Sequence, residues 1–267
     1  MPIPKVWLGN QRATTRHDIR RVRRFVATLS DFPSTRALAN PYRSLRRRQN
    51  LEAYLLALLA WPYSGHLLVG EAPGERGCAR TGIPFTDERL LRSGSHPFLK
   101  SLRPALQVTG STAENTAGII WSHLCHSGVV PAFWNAVPFH PRGDRRPNRS
   151  PTATEIYRCQ GFLDQVLKIL IPHSVIAVGR TAEAALARLG MKNFASVRHP
   201  SHGGKRGYIA GLRACGFATI GNLTVSASDR DTTTASSSRS YSGGGFLGRA
   251  NGVVISTWIS SPTTRTG

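Results

Sequence analysis

The sequence predicts an α/β fold built on four parallel strands that alternate with helices. Three observations carry this. The runs at 67–69 (LLV), 132–137 (AFWNAV) and 174–178 (SVIAV) have the near-continuous hydrophobicity of strands buried on both faces. Gly70 and Gly179 close two of these runs, as a tight turn at the end of a strand requires. The stretches between them carry helical periodicity, and that alternation is the mark of a parallel sheet.

In chain order, residues 1–48 read as a basic leader. Arg20, Arg21, Arg23 and Arg24 surround Val22, Phe25 and Val26 in a short helix, and Arg43, Arg46, Arg47 and Arg48 follow Pro41. Almost nothing acidic balances them, which points to a strip that binds phosphates; the plainer reading is a solvated face or loose tail. Residues 49–59 read as a helix with Leu51, Tyr54, Leu55, Leu58 and Leu59 on one face, stopped by Pro62 and Gly65. The first strand then enters the stretch around which the chain is organised, HLLVGEAPGERGCARTGIPFTD (66–87). Residues 87–91 and 98–106 read as helical or irregular cover, and 109–116 as a polar loop. The second strand carries Asn135 inside an apolar run, costly if it is buried without partners. A loop dense in Pro and Arg spans 138–151. Thr152 or Thr154 caps the next helix, with Glu155 in its first turn and Ile156, Leu163, Val166, Leu167 and Leu170 as its stripe. The third strand leads into an alanine-rich helix at 181–189, ended by Gly190. A short fourth strand at 194–198 runs into His199, Pro200, Ser201, His202, Gly203 and Gly204, and a last helix covers 206–214. Residues 218–267 are low in complexity and cannot build a core. The domain is therefore set at 49–217, with 218–267 as a disordered tail.

The formal net charge of the 267 residues is +21, and such a charge draws polyanions, nucleic acid first. The longest apolar run, 54–61, is too short to span a bilayer, so no membrane partner is expected. Residues 1–12 have no signal-peptide core, although the Arg-rich start leaves a weak likeness to an organelle transit peptide. Cys78, Cys125, Cys159 and Cys215 are far apart without a CxxC pair; they read as reduced thiols of a cytosolic protein, not as a disulfide framework or a metal site. His123, His126 and His140 likewise lack metal-ligand spacing.

The carboxyl ends of parallel strands share one edge, where open α/β sheets hold their ligands. Glu71, Asn135 and His199 stand at the ends of the first, second and fourth strands and can converge there. Each has a plainer reading, as does Phe85 on the nearby loop: Glu71 as a turn carboxylate, Asn135 as a satisfied core amide, His199 as a loop residue, Phe85 as core.

Five motifs in order, GEAPG (70–74), GIPF (82–85), WNAVPFHP (134–141), AVGRTAEAAL (177–186) and RHPS (198–201), make residues 50–214 resemble the uracil-DNA glycosylase superfamily, closest to its bacterial and phage-type branch with GEAPG and HPS signatures. The resemblance implies a three-layer α/β/α domain with a central, mainly parallel four-stranded sheet. It implies a monofunctional enzyme, cytoplasmic and monomeric, that flips uracil out of DNA and hydrolyses its glycosidic bond without a cofactor. The turn holding Gly70 and Ala72 approaches the base and the attacking water. Phe85 stacks on the base, and Asn135 reads its edge. His199 stabilises the departing anion, with Glu71 as the second catalytic residue. Ser201, Lys205 and Arg206 grip DNA beside the leader's Arg46, Arg47 and Arg48. Three departures stand out. The slot that holds a water-positioning Asp in the best-known branch is Ala72 here. The four cysteines do not follow the iron–sulfur pattern of the GEAPG branch. The apolar wedge expected after HPS is replaced by His202, Gly203 and Gly204. A catalytically silent DNA-binding protein with the same fold is the alternative.

Overall fold

The computed structural model describes residues 14–61, 63–124, 130–144, 147–201 and 203–216. The expected tail, the start of the leader, Cys125, His126 and His202 lie outside them.

The elements are α1 (Arg16–Asp31), β1 (Leu38–Ala39), α2 (Leu45–Ala60), β2 (Tyr63–Gly70), α3 (Cys78–Thr81), α4 (Glu88–Ser93), α5 (Pro97–Leu102), α6 (Asn115–Leu124), β3 (Val130–Asn135), β4 (His140–Pro141), α7 (Ala153–Leu170), β5 (Ser174–Val178), α8 (Arg180–Arg188), β6 (Ala195–Val197) and α9 (Lys205–Ala214). Four strands form one parallel sheet in the order β3-β2-β5-β6. Every residue of β3 is buried, and so are Leu67, Leu68 and Val69 in succession. Both faces of the sheet are therefore covered, and the fold is a three-layer α/β/α. The register sets Gly70 beside Asn135 and Val178 beside Val197, so the turns after β2, β3, β5 and β6 open on one edge.

The expected basic leader is not a separate segment. A capping box between Thr15 and Asp18 starts α1, and Val22, Phe25, Val26 and Leu29 enter the common core, where Phe25 packs on Trp134 with ring centroids 5.4 Å apart. Arg21 donates to the Lys168 carbonyl at 2.6 Å and Arg23 to Glu52 at 2.7 Å. The i, i+3, i+4 spacing of those four apolar residues buries one face of the helix while its arginines stay on the other.

Other differences are local. Strand β2 starts four residues before the expected Leu67. Val137 leaves the strand but continues its ladder, donating to the Glu71 carbonyl at 3.0 Å. A two-stranded antiparallel pair, β1 with β4, and helix α6 were not expected. Thr152 caps α7 in a capping box with Glu155, as the sequence predicts.

Candidate active site

A cleft of about 510 Å³ opens over the carboxyl edge of the sheet. Its floor is set by the end of β2. Gly70 lies under the Phe85 ring: a Cβ there would land on Phe85 Cζ and come within 3.0 Å of Asn135 Oδ1. The turn after Gly70 is strapped to β3, because Ala136 donates to the Gly70 carbonyl at 2.8 Å. Pro73 accepts from His140 Nδ1 at 2.8 Å. Burial pulls that imidazole below its ordinary pKa, against the opposing pull of the Pro73 and Pro147 carbonyls.

Phe85 is the one described non-glycine besides Ile171 with positive φ, at 55°. A conformation so unfavourable for an aromatic residue has to be held by its surroundings. Trp121 donates to the Phe85 carbonyl at 2.9 Å, and the Phe85 ring packs on Phe133 at 5.1 Å between centroids. The Thr81, Ile83 and Thr86 hydrogen bonds tie the loop before it.

Asn135 ends β3 and is 5% exposed. Its Nδ2 lies 4.0 Å from Cys78 Sγ, a long contact that leaves most of the amide's hydrogen-bonding capacity for a ligand. Burial pushes the Cys78 thiol well up, so it behaves as a neutral wall of the cleft. Glu71 follows β2, and its carboxylate accepts from Thr181 Oγ1 at 2.6 Å in the first turn of α8. His199 follows β6. Its Nδ1 accepts from the Ser201 backbone N–H at 3.3 Å and lies 2.7 Å from Ser201 Oγ. An accepting Nδ1 puts the proton of the neutral ring on Nε2, so that nitrogen is the donor. Gly204 makes this hook possible, because a Cβ there would strike the His199 carbonyl oxygen.

Glu114 also lines this cleft. Burial first, and then the Asp87 charge, push its carboxyl up to about 7. Among the described residues no group of three His, Cys, Asp or Glu could hold a metal, and Cys78, Cys159 and Cys215 are free thiols.

The sequence matches the family model of the uracil DNA glycosylase superfamily over residues 62–235. The chain belongs to that superfamily. Among solved structures it is similar to wild-type SMUG2 of Pedobacter heparinus, with a TM-score of 0.56 and 18% identity over 75% of this chain and 99% of that one. At that identity the likeness is one of fold. No curated protein matches the chain.

Within this member of the superfamily, Glu71, Ala72, Phe85, Asn135, His199 and Ser201 all line the cleft, with Gly70 beneath them. Lys205 and Arg206 are exposed at the start of α9 and do not line it. Arg46, Arg47 and Arg48 are half-buried on α2, also away from it. Arg47 faces a second concavity of about 390 Å³ with Arg80, Arg142 and Glu75. The sequence reading missed Glu114, Thr181, Asn148 and Arg149. Thr181 had a usable signal, since it follows the Gly179 turn at the ligand edge. Glu114 had none, because it falls in the stretch 109–116 that reads as a polar loop.

Proposed function

We propose that the protein is a monofunctional, monomeric uracil-DNA glycosylase that needs no cofactor. The observation that carries this reading is the meeting of Glu71, Phe85, Asn135 and His199, from four separate segments, in one cleft. A base cannot be reached inside a duplex and must be flipped out, at a cost of a few kcal/mol. Stacking on Phe85 offsets about 1–3 kcal/mol of that. Asn135 donates its amide N–H to a uracil carbonyl and accepts the ring N–H on Oδ1; cytosine would meet both with the wrong polarity. As the C1′–N1 bond breaks, electrons collect on the uracil oxygen, and the His199 Nε2–H is the donor suited to hold that charge. Glu71, oriented by Thr181, faces the positive charge on the sugar and takes the proton of the water that adds to C1′.

DNA is held by phosphate contacts from Ser201, Lys205, Arg206 and from Arg46, Arg47 and Arg48. Burial first, and then the nearby Arg46 and Arg80 charges, lower the Arg47 pKa against the opposing pull of Glu88, so cations crowd on this face. The test is incubation with an oligonucleotide holding one uracil, followed by alkali. Scission at the uracil is the expected result. Tight binding without an abasic site would instead identify a silent binder.

A further inference from the structure

Glu114 is a titratable group of the cleft that the mechanism above leaves without a task. It sits just before α6, where its backbone N–H donates to Asp87 Oδ2 at 2.9 Å. Its side chain turns into the cleft. Among the described residues no hydrogen-bond donor meets either carboxylate oxygen. The chain makes room for it. A Cβ on Gly74 would land on Glu114 Oε1, and one on Gly77 would land on Oε2. Two glycines three positions apart thus form a notch that fits one carboxyl group. A structural carboxylate is normally met by a cation or by backbone N–H groups; this one is packed against glycine backbone and left facing the cavity.

The neighbouring wall says what it faces. Cys78 is a common neighbour of Glu114 and Asn135: Glu114 acts on the Cys78 thiol electrostatically, and Asn135 Nδ2 lies 4.0 Å from Cys78 Sγ. Glu114 therefore belongs to the base-reading end of the cleft, on the side of Asn135 and Phe85.

We infer that Glu114 is a second base-recognition residue, whose carboxyl O–H donates to the same carbonyl oxygen that accepts from Asn135. The inference rests on the glycosylase reading. Uracil has one ring N–H flanked by two carbonyls. Asn135 satisfies the N–H and one lone pair of the carbonyl that cytosine replaces with an amino group, His199 serves the other carbonyl, and the second lone pair of the first is open to a donor. A neutral carboxyl group supplies one. An ionised one supplies none and repels the oxygen. The raised pKa fits this, since it keeps a proton on Glu114 up to about pH 7. The charged or titratable groups around it are Asp87 at the start of α4 and Cys78 on α3, and Glu71, Arg149, Arg180 and His199 line the same cleft.

The test compares the parent with Glu114→Gln and Glu114→Leu between pH 6 and 9. Binding is measured to an oligonucleotide with 2′-fluoro-2′-deoxyuridine, which resists excision, and to its cytosine twin. Excision of ordinary deoxyuridine is measured alongside. Glutamine keeps a donor at every pH. In the parent, the preference for uracil falls about tenfold as pH rises through the Glu114 transition, the loss of about one hydrogen bond. Glu114→Gln holds the preference flat. Glu114→Leu lacks it throughout, with a cooperative thermal transition showing that it is folded. A parent and a Glu114→Gln variant with the same pH dependence would overturn the inference. A parent that shows the preference without excising uracil would leave Glu114 as base reader and remove the glycosylase reading. A parent with no preference at any pH would remove both.

Discussion

Arg149 offers the most direct check on how the rim of the cleft is held. Its guanidinium makes five hydrogen bonds: to the carbonyls of Arg142, Ser150 and Ala37 at 3.0, 3.0 and 2.9 Å, and to both oxygens of Glu155 at 2.7 and 2.6 Å. This uses all of the donors an arginine has. The group ties the 142–150 loop to the segment before β1 and to the capping box of α7. Arg149→Lys keeps the charge but replaces a planar fork with a point. The ammonium can stay with Glu155 and loses at least two of the carbonyls. Hydrogen bonds of charged groups contribute about 1.5–3 kcal/mol each. The Arg149 side chain is 26% exposed, so water takes up part of the loss, and a net cost of about 2–3 kcal/mol is expected. For a domain of this size that lowers Tm by roughly 4–12 °C, read by circular dichroism at pH 7. The difference should shrink in acid. The hydrogen bond from Arg149 is the main cause that holds the Glu155 carboxyl below its ordinary value of 4.5. Stability from that bond is present above 4.5 and disappears as pH falls through the lowered value. A Tm within a degree of the parent at pH 7 would refute the reasoning.

Other perturbations address the chemistry. His199→Ala should slow single-turnover excision about 10²–10³-fold while DNA binding persists; full activity would sink the proposed anion stabilisation. Asn135→Asp removes the amide donor, so uracil excision should fall sharply and a trace of cytosine excision can emerge, measured on matched oligonucleotides. Unchanged uracil excision would make Asn135 a core amide. Gly70→Ala drives a methyl into the Phe85 ring, at a cost of about 1–3 kcal/mol in stability, and excision should weaken with it. A variant as stable and active as the parent would mean that Phe85 can move aside.

Much of the sheet was legible because its strands are buried on both faces and read as continuous apolar runs. Residues 174–178 were placed to the residue. The edge was legible too: Glu71, Asn135 and His199 meet because parallel topology puts strand ends together. What escaped had no local signature. Strands β1 and β4 have two residues each, too few for any period to emerge. Phe25 and Val26 were seen among arginines, and net charge outweighed the period of the apolar face. Phe85 was expected to stand near the turn, but its positive φ depends on Trp121 and Phe133, distant partners that local sequence does not disclose. Glu114 was invisible because its burial comes from Gly74 and Gly77, far away in the chain.

Strand β2 lies between β3 and β5, and this order has a consequence for synthesis. The strand that carries the ligand edge is made first of the four and has two open sides. Its second partner, β5, ends at Val178, more than a hundred residues later. At about 5–20 residues per second, a nascent chain holds Leu67, Leu68 and Val69 with an unpaired edge for roughly 5–20 s. Ribosome-bound chains that stop before residue 174 should be open to protease at β2, and those long enough to free residue 197 should not. Protection in the shorter chains would mean that β2 and β3 close the core by themselves. In the interval, the same apolar run that later supports the cleft is a surface for other chains to stick to, and the positive charge flanking it in α1 and α2 becomes a means of keeping unfinished copies apart.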